Sequence, residues 1–392
     1  MKKENLDLLI VSLPSMQLKG PPMGPALLKG YLRSLNYRVQ CRDLNVETFH
    51  LLNKDKRYFM AETHQTWCDE EQFEEFYRTC LRGRFQKWAE ELVSERPRWI
   101  GLSIHWQGTW RASEKMVQLI KSLNPDQKIV IGGPYAKFIY KKFSEQQIID
   151  EYILGEGELR LAELLNDGAT KKTDHLSVDM NLNNLPPSDY DDYLAELYPV
   201  HHYDPNCSEM GLTHLYVQTS RGCVLNCSFC NIIGNTGRYK VKAGLKVAEE
   251  MITYHEKYGV HEFTLADNAI NGSVENLKEM ASELLRYQKN SDLKQPFRWY
   301  SHFILPRNFD ERQRDLVSLL GASGCRLLKV GFESGSPSVR KHIGKAYRNE
   351  DVLPFLKACK SAGVKVRALF FVGYHTETEK DFQMTLQIVR EN

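Results

Sequence analysis

Ten residues, Arg221 to Cys230, read RGCVLNCSFC and set Cys223, Cys227 and Cys230 at the spacing C-x3-C-x2-C. A short segment that curls around one point lets three thiolates at this spacing bind three irons of a cubic four-iron cluster, which leaves the fourth iron without a protein ligand. An open iron suits reductive chemistry in which a small chelating molecule is held against the cluster. A zinc site would call for a fourth Cys or His nearby. The closest, Cys207 and His214, both lie upstream and at no finger or ribbon spacing. The alternative for the three cysteines is a set of buried structural thiols, or half of a disulfide scaffold. The preceding segment, Leu215 to Thr219, is rich in β-formers, and Ser220-Arg221-Gly222 is a turn. The ligand loop is therefore expected at the C-terminal end of a strand, where α/β proteins place their sites.

With Phe229 just before the last cysteine, Gly222 before the first and a strand leading in, the motif resembles the signature of the radical S-adenosylmethionine (SAM) superfamily. The resemblance implies that the methionine end of SAM chelates the open iron. One electron from the reduced cluster then cleaves SAM to methionine and a 5′-deoxyadenosyl radical. It also implies an external electron donor such as a flavodoxin or ferredoxin. By that resemblance Phe229 flanks the adenine; read from the residues alone, it is equally a loop residue packing on a barrel top.

The chain of 392 residues is long enough for two domains with full cores. A net charge of +2 gives no argument for nucleic acid or an anionic membrane as partner. No apolar run approaches the roughly 20 residues of a membrane span. The start, MKKENLDLLIVSLP, superficially resembles a signal peptide, but Asp7 interrupts it and no small-residue cleavage site follows. It reads as a first parallel strand. Nine cysteines is an odd number, and six of them (Cys41, Cys68, Cys80, Cys207, Cys325, Cys359) follow no spacing rule, which points to a reducing, cytoplasmic setting.

Residues 5 to 165 alternate strands and helices. Leu8 to Leu13 is a continuous apolar run suited to a strand buried on both faces. A Pro/Gly-rich loop follows, then a helix with Leu27, Leu28, Tyr31, Leu32 and Leu35 at helical spacing. Tyr37 to Asp43 is a second strand, and the charged, aromatic stretch from about Lys54 to Arg96 is helical. Further strands are expected at Trp99 to Ile104, Lys128 to Ile131 and Glu151 to Leu154. The series predicts a doubly wound, Rossmann-like parallel sheet.

Its strand-end loops carry Ser12, Ser103, Gly132, Gly133, Gly155 and Gly157, small residues where a bulky flat ligand would approach. Taken singly, each is more simply a tight turn. The pattern WIGLSI, then IVIGGP, then YILGEGE resembles the cobalamin-binding domain found N-terminal to many radical SAM proteins. The resemblance makes these residues, with His105, Trp106 and Glu156, cobalamin contacts, His105 reading as a polar loop residue rather than a cobalt ligand. Many cobalamin domains carry D-x-H-x-x-G after the first strand; here the loop reads SLPSMQLKG, without a histidine.

Residues 166 to 214 read as a linker with Pro186-Pro187 and the run SDYDDYLAELY, a solvated helix start capped by Ser188 or Asp189. Residues 215 to 392 begin a second β-α series, with strands at Leu215 to Thr219, His261 to Ala266, Phe297 to Ile304, Arg326 to Phe332 and Lys365 to Val372. That repetition predicts a partial TIM-like barrel with its chemistry at the C-terminal rim. GFESGS resembles the superfamily's fourth-strand segment, which makes Glu333 and Ser334 candidates for hydrogen bonds to the ribose or amino group of SAM. Asp267 and Asn268 match an acidic position after the second strand. FVGYHTETEKD resembles a fifth-strand segment but lacks its proline and second glycine. Helix capping is the simpler role for Ser334 and Thr376. Family barrels have about six β-α units and five are found here, so a sixth was lost or the chain is a fragment of a longer protein.

Together these features resemble a cobalamin-dependent radical SAM enzyme, most simply one that methylates an unactivated carbon of a peptide or natural product. The alternatives are a radical SAM cyclase or rearrangement enzyme that does not use cobalamin for methyl transfer, and a non-catalytic cobalamin or iron-sulfur sensor. Methylthiotransferases need a second set of cluster cysteines, which residues 1 to 200 do not offer.

Overall fold

The computed structural model describes residues 6–16, 18, 20–52, 64–146, 148–167, 180–199, 211–232 and 236–391. Cys207 and the first part of the expected 54–96 helical stretch fall outside them. The chain forms two compact units, Met1–Asp179 with Leu185–Leu212, and Met180–Asn184 with Thr213–Asn392.

In the first unit β1 (Leu8–Ser12), β2 (Val39–Asp43), β3 (Trp99–Ser103), β4 (Lys128–Gly132) and β5 (Glu151–Tyr152) form one sheet in the order β2-β1-β3-β4-β5. All its pairings are parallel. β1 is buried at every position with β2 and β3 on either side, and an unbroken apolar run satisfies that. The strand order reverses between β1 and β3. Loops that leave a sheet at such a reversal diverge and open a crevice at its C-terminal edge. The helical insert runs through Glu70–Phe76, a π-helical turn at Tyr77–Leu81, and Arg82–Ser94. It buries Phe73 and Phe76 against Trp67, and Phe85 against Trp88.

The acidic aromatic run does not start a helix. Its one regular turn is a 3-10 turn at Ala195–Leu197, and Tyr190, Tyr193 and Tyr198 are buried. Lys29, 1% exposed on the helix Met23–Ser34, lies 3.1 Å from Asp189 Oδ1 and 2.7 Å from Asp192 Oδ2. Asp192 Oδ2 also accepts from the backbone N–H of Cys41 at 2.7 Å, and Tyr198 donates to Asp43 Oδ2 at 2.9 Å. β2 is the edge of its sheet, so the segment acts as a strap that caps an otherwise unpaired edge. Gly30 permits the close approach, since a Cβ there would lie 2.4 Å from Pro187 O.

In the second unit β6 (His214–Val217), β9 (Glu262–Leu265), β10 (Arg298–Phe303), β11 (Cys325–Glu333) and β12 (Lys365–Phe370) form a parallel sheet in the order β12-β11-β10-β9-β6. Each strand pairs with the next in sequence, β-α unit by β-α unit, as in the wall of a barrel. Between β6 and β9 a two-residue antiparallel ribbon, β7 (Ser220–Arg221) with β8 (Lys240–Val241), brings together the two ends of the segment that carries the cysteines.

Candidate active site

Three features fix the loop that carries the cysteines. Gly222 has φ +80, and a Cβ there would lie 3.1 Å from both Arg238 O and Tyr239 Cα, so the turn into the loop needs glycine. Asp267, at the end of β9, is 3% exposed; its carboxylate accepts from Thr219 Oγ1 at 2.6 Å, Ser220 N at 2.6 Å and Ser220 Oγ at 2.8 Å. Its neighbour Asn268 donates to Gly222 O at 3.0 Å. The far leg of the loop rests on the helix Pro337–Ile343: Ser228 N donates to Ile343 O at 3.0 Å, and Cys227 packs on Val339 and Ile343.

Within this frame Cys227 is buried, Cys223 half-buried and Cys230 exposed. Burial pushes the Cys227 thiol up, Lys345 pulls it down, and Cys223 and Cys230 push it up again, so the three sulfurs lie within electrostatic reach of one another. Among the described residues no three His, Cys, Asp or Glu side chains converge as they would on a single ion. A cubic cluster does not ask for that, since each thiolate binds a different iron. Three thiols on one clamped loop fit a cluster with one open iron. His214, the other candidate fourth ligand, is buried in β6 against Thr264 Oγ1 at 2.7 Å.

The other expected SAM contacts fall in different places. Phe229 is 50% exposed and meets Phe371 edge-on at 5.1 Å, at the rim. Asp267 is turned inward on Thr219 and Ser220 and serves as the brace of the loop. Ser334 is 0% exposed; its hydroxyl accepts from Ser336 N at 3.1 Å and shares a hydrogen bond with Thr385, so the protein already uses it. The helix cap in that segment is Ser336, which accepts from Val339 N. Near the chain's end the helix Glu379–Glu391 is led in by Thr378, whose carbonyl accepts from Phe382 N and whose hydroxyl accepts from Asp381 N, in place of the expected Thr376. Glu333, partly buried, pairs with Lys345 at 3.3 Å. Sequence reasoning missed Lys345. The signal was available: residues 334–349 hold Arg340, Lys341, Lys345 and Arg348 and no carboxylate.

At the C-terminal edge of the first sheet Ser12 is buried, Ser103, Trp106 and Glu156 are half-buried, and His105 and Gly155 are exposed. Trp106 Nε1 donates to Ser15 O, which ties the loop after β3 to the loop after β1 across the strand-order reversal. A Cβ on Gly132 would meet only Ile153, at 3.6 Å and beyond, so backbone there is open to a flat ligand. Gly133 is different. It has φ +102, and a Cβ would lie 2.6 Å from Ile104 O, so its glycine is a demand of the chain itself. Gly157 likewise makes way for Leu28, 3.0 Å from where a Cβ would be. The edge offers polar groups and open glycine backbone that suit a cobalamin ring, and no imidazole from the described residues of the loop after β1.

Comparisons with known proteins agree with both halves of this picture. Residues 217–389 match the model of the radical SAM superfamily and residues 13–165 that of the B12 binding domain. An uncharacterized methyltransferase of Pyrococcus horikoshii is 24% identical over 70% of this chain and 60% of its own. The anaerobic magnesium-protoporphyrin IX monomethyl ester cyclase of Rubrivivax gelatinosus is 23% identical over 77% of this chain and 56% of its own. This chain thus spans less than two thirds of either relative. Among solved structures, the radical SAM methyltransferase TsrM from Kitasatospora setae, with cobalamin and a 4Fe-4S cluster bound, superposes with TM-score 0.70 at 18% identity, over 99% of this chain and 73% of that one. Three thiols on a braced loop at the end of a barrel strand, preceded by a doubly wound sheet of the B12-binding kind, make this chain a member of the radical SAM superfamily, of the group that carries an N-terminal B12-binding domain.

Proposed function

We propose that the protein transfers a methyl group to an unactivated carbon of a peptide or other natural product. The observation that carries this is the pairing of a three-thiol loop with a B12-binding domain in one chain. When bound, the cluster and SAM supply one-electron cleavage to a carbon radical, and cobalamin supplies a carrier for the methyl group. In this reading Cys223, Cys227 and Cys230 hold three irons, Asp267 and Asn268 keep their loop in place, Phe229 lies along the adenine, and Glu333 accepts hydrogen bonds from the ribose or amino group. On the first sheet Ser103, His105, Trp106, Gly132, Gly155 and Glu156 line the cobalamin edge, while Ser12, Gly133 and Gly157 shape it from beneath. The cobalamin domain is assigned to residues 1–165 and the barrel to 215–392. Among the described residues no helix is long and apolar enough to cross a membrane, which suits a cytoplasmic enzyme reduced by a flavodoxin or ferredoxin.

A second reading is kept because the cyclase relative covers more of this chain than the methyltransferase relative does. Anaerobically reconstituted protein distinguishes the two. About four irons with one corrinoid per chain, and a methyl group from labelled methionine-derived SAM recovered in a product, support the methyltransferase. Four irons with no corrinoid uptake move the reading to cyclisation or rearrangement. Cys227→Ala is expected to abolish cluster assembly and SAM cleavage while corrinoid binding stays intact; SAM cleavage by this variant at the wild-type rate would refute the cluster assignment.

A further inference from the structure

One built feature beside the cysteine loop pairs Glu333 with a lysine to which the reading above gives no part. Lys345 Nζ lies 3.3 Å from Glu333 Oε1 and donates to Gly331 O at 3.1 Å, with the two side chains only 10% and 13% exposed. A Cβ on Gly331 would lie 2.2 Å from Glu333 Oε1 and 3.0 Å from Lys345 Nζ, so the pair folds back over β11 because position 331 is glycine. Glu333 sits at φ +66, where the β11–β12 register shifts. That conformation costs a residue with a Cβ about 1 kcal/mol or more. Desolvated charges plus backbone strain are poor value for stability alone. Strain of this kind gathers at functional sites.

The pair's location suggests what it serves. Ile343 O accepts from Ser228 N, and Gly344, at φ +93, runs so close to the loop that a Cβ would lie 3.5 Å from Asn226 O and 4.0 Å from Cys227 Cα. Lys345 is the next residue. The ion pair is thus anchored on the segment whose backbone runs against Cys227.

We propose that Lys345 and Glu333 are positioning residues that work as opposed fixed charges, setting how readily the cluster on Cys223, Cys227 and Cys230 accepts an electron. The inference rests on the cluster reading. A cation beside the site favours the more negative, reduced form, and the carboxylate partly offsets it. Because the two are clamped on one glycine-dependent fold of β11, neither swings away into water. Their fields therefore act at full strength in a low-dielectric setting.

The test uses the full chain, reconstituted with iron and sulfide and left without SAM, in a potentiometric titration followed by electron paramagnetic resonance. Lys345→Met is expected to disfavour reduction roughly tenfold, a shift of about 59 mV to lower potential for a one-electron couple. Glu333→Gln is expected to shift it the opposite way, and Lys345→Arg to stay near wild type because the charge is kept. Iron and sulfide content, measured on each variant, should be unchanged. Shifts of the same sign in Lys345→Met and Glu333→Gln, or none in either, overturn the proposal. So does Lys345→Arg shifting as far as Lys345→Met at full iron content, since shape would then be the cause. Should Lys345→Met lose its cluster, the opposite shift of Glu333→Gln and the unchanged Lys345→Arg still decide the matter. A wild-type chain that takes up no iron overturns the cluster reading itself, and this inference with it.

Discussion

Asp267 offers the sharpest test of how the cluster loop is held. Its carboxylate takes three donors from Thr219 and Ser220, and burial pushes its pKa up to about 6 against the pull of those donors. In Asp267→Ala the two hydroxyls can turn elsewhere, but the Ser220 N–H cannot. An unsatisfied buried N–H and the lost charge-assisted bonds together cost about 3 kcal/mol at pH 7, reduced somewhat by the relief of burying a charge. Asp267→Asn should cost less, because an amide oxygen still serves Ser220 and the Thr219 hydroxyl can reverse its role. The pH dependence follows from the direction of the shift. A carboxyl whose pKa is raised in the folded state binds its proton more tightly there, so its contribution is present in full below the unfolded value near 3.8 and is lost as pH rises through about 6. The wild type's advantage over Asp267→Ala should therefore grow by about 1 kcal/mol between pH 7 and pH 5. Trp299 is the only tryptophan in residues 213–392 and is fully buried. Urea unfolding of fluorotryptophan-labelled apoprotein, read at the Trp299 fluorine resonance, isolates the second unit. An advantage that is below about 0.5 kcal/mol at pH 7, or one that shrinks on acidification, would refute the brace.

Lys29→Met should destabilise the first unit by about 3 kcal/mol, since it leaves Asp189 and Asp192 facing each other across a site built for a cation; denaturant unfolding measures it, and restoration by the added changes Asp189→Asn and Asp192→Asn would show that charge is the cause. Gly133→Val should cost about 3 kcal/mol through its positive φ and the clash with Ile104 O. Corrinoid loss in that variant should thus track unfolding measured by circular dichroism, and a folded variant that binds no corrinoid would contradict this. In apoprotein under limited iodoacetamide, mass spectrometry should find that, of the three loop cysteines, Cys230 is alkylated first and Cys227 last, because Cys230 is exposed whereas burial raises the Cys227 thiol.

The parts of this molecule that were legible from sequence are those fixed by local spacing. β1 and β3 read as unbroken apolar runs because they are buried on both faces, and they emerged as central strands. The cysteine loop was legible because ten consecutive residues contain its whole chemistry. The strap at 185–199 was not. Its aspartates look solvated in sequence because their partner, Lys29, stands some 160 residues earlier, and no periodicity records such a pairing. Nor could sequence place Glu333 in a left-handed conformation, since that follows from a register shift between β11 and β12.

Two of the expected SAM contacts, Asp267 and Ser334, share one physical feature. An acid or hydroxyl at the end of a barrel strand stands where a ligand could reach it, and also where the next turn leaves donors and acceptors unpaired. Asp267 and Ser334 meet the second need. Asp267 takes the donors of the turn into the cysteine loop, and Ser334 takes the N–H of Ser336 as β11 gives way to its helix. Each is almost wholly buried and satisfies a backbone N–H that water cannot reach. Glu333 differs, for its carboxylate is held by the Lys345 side chain rather than by the backbone donors of a turn. The polar residues at the rim thus divide between those that hold backbone groups of the turns and the Glu333–Lys345 pair, whose partners are each other and Gly331 O. Under the proposed reading this pair can be substituted without taking a partner from the turn into the cysteine loop, which is why its variants separate control of the cluster from integrity of the loop that bears the cysteines.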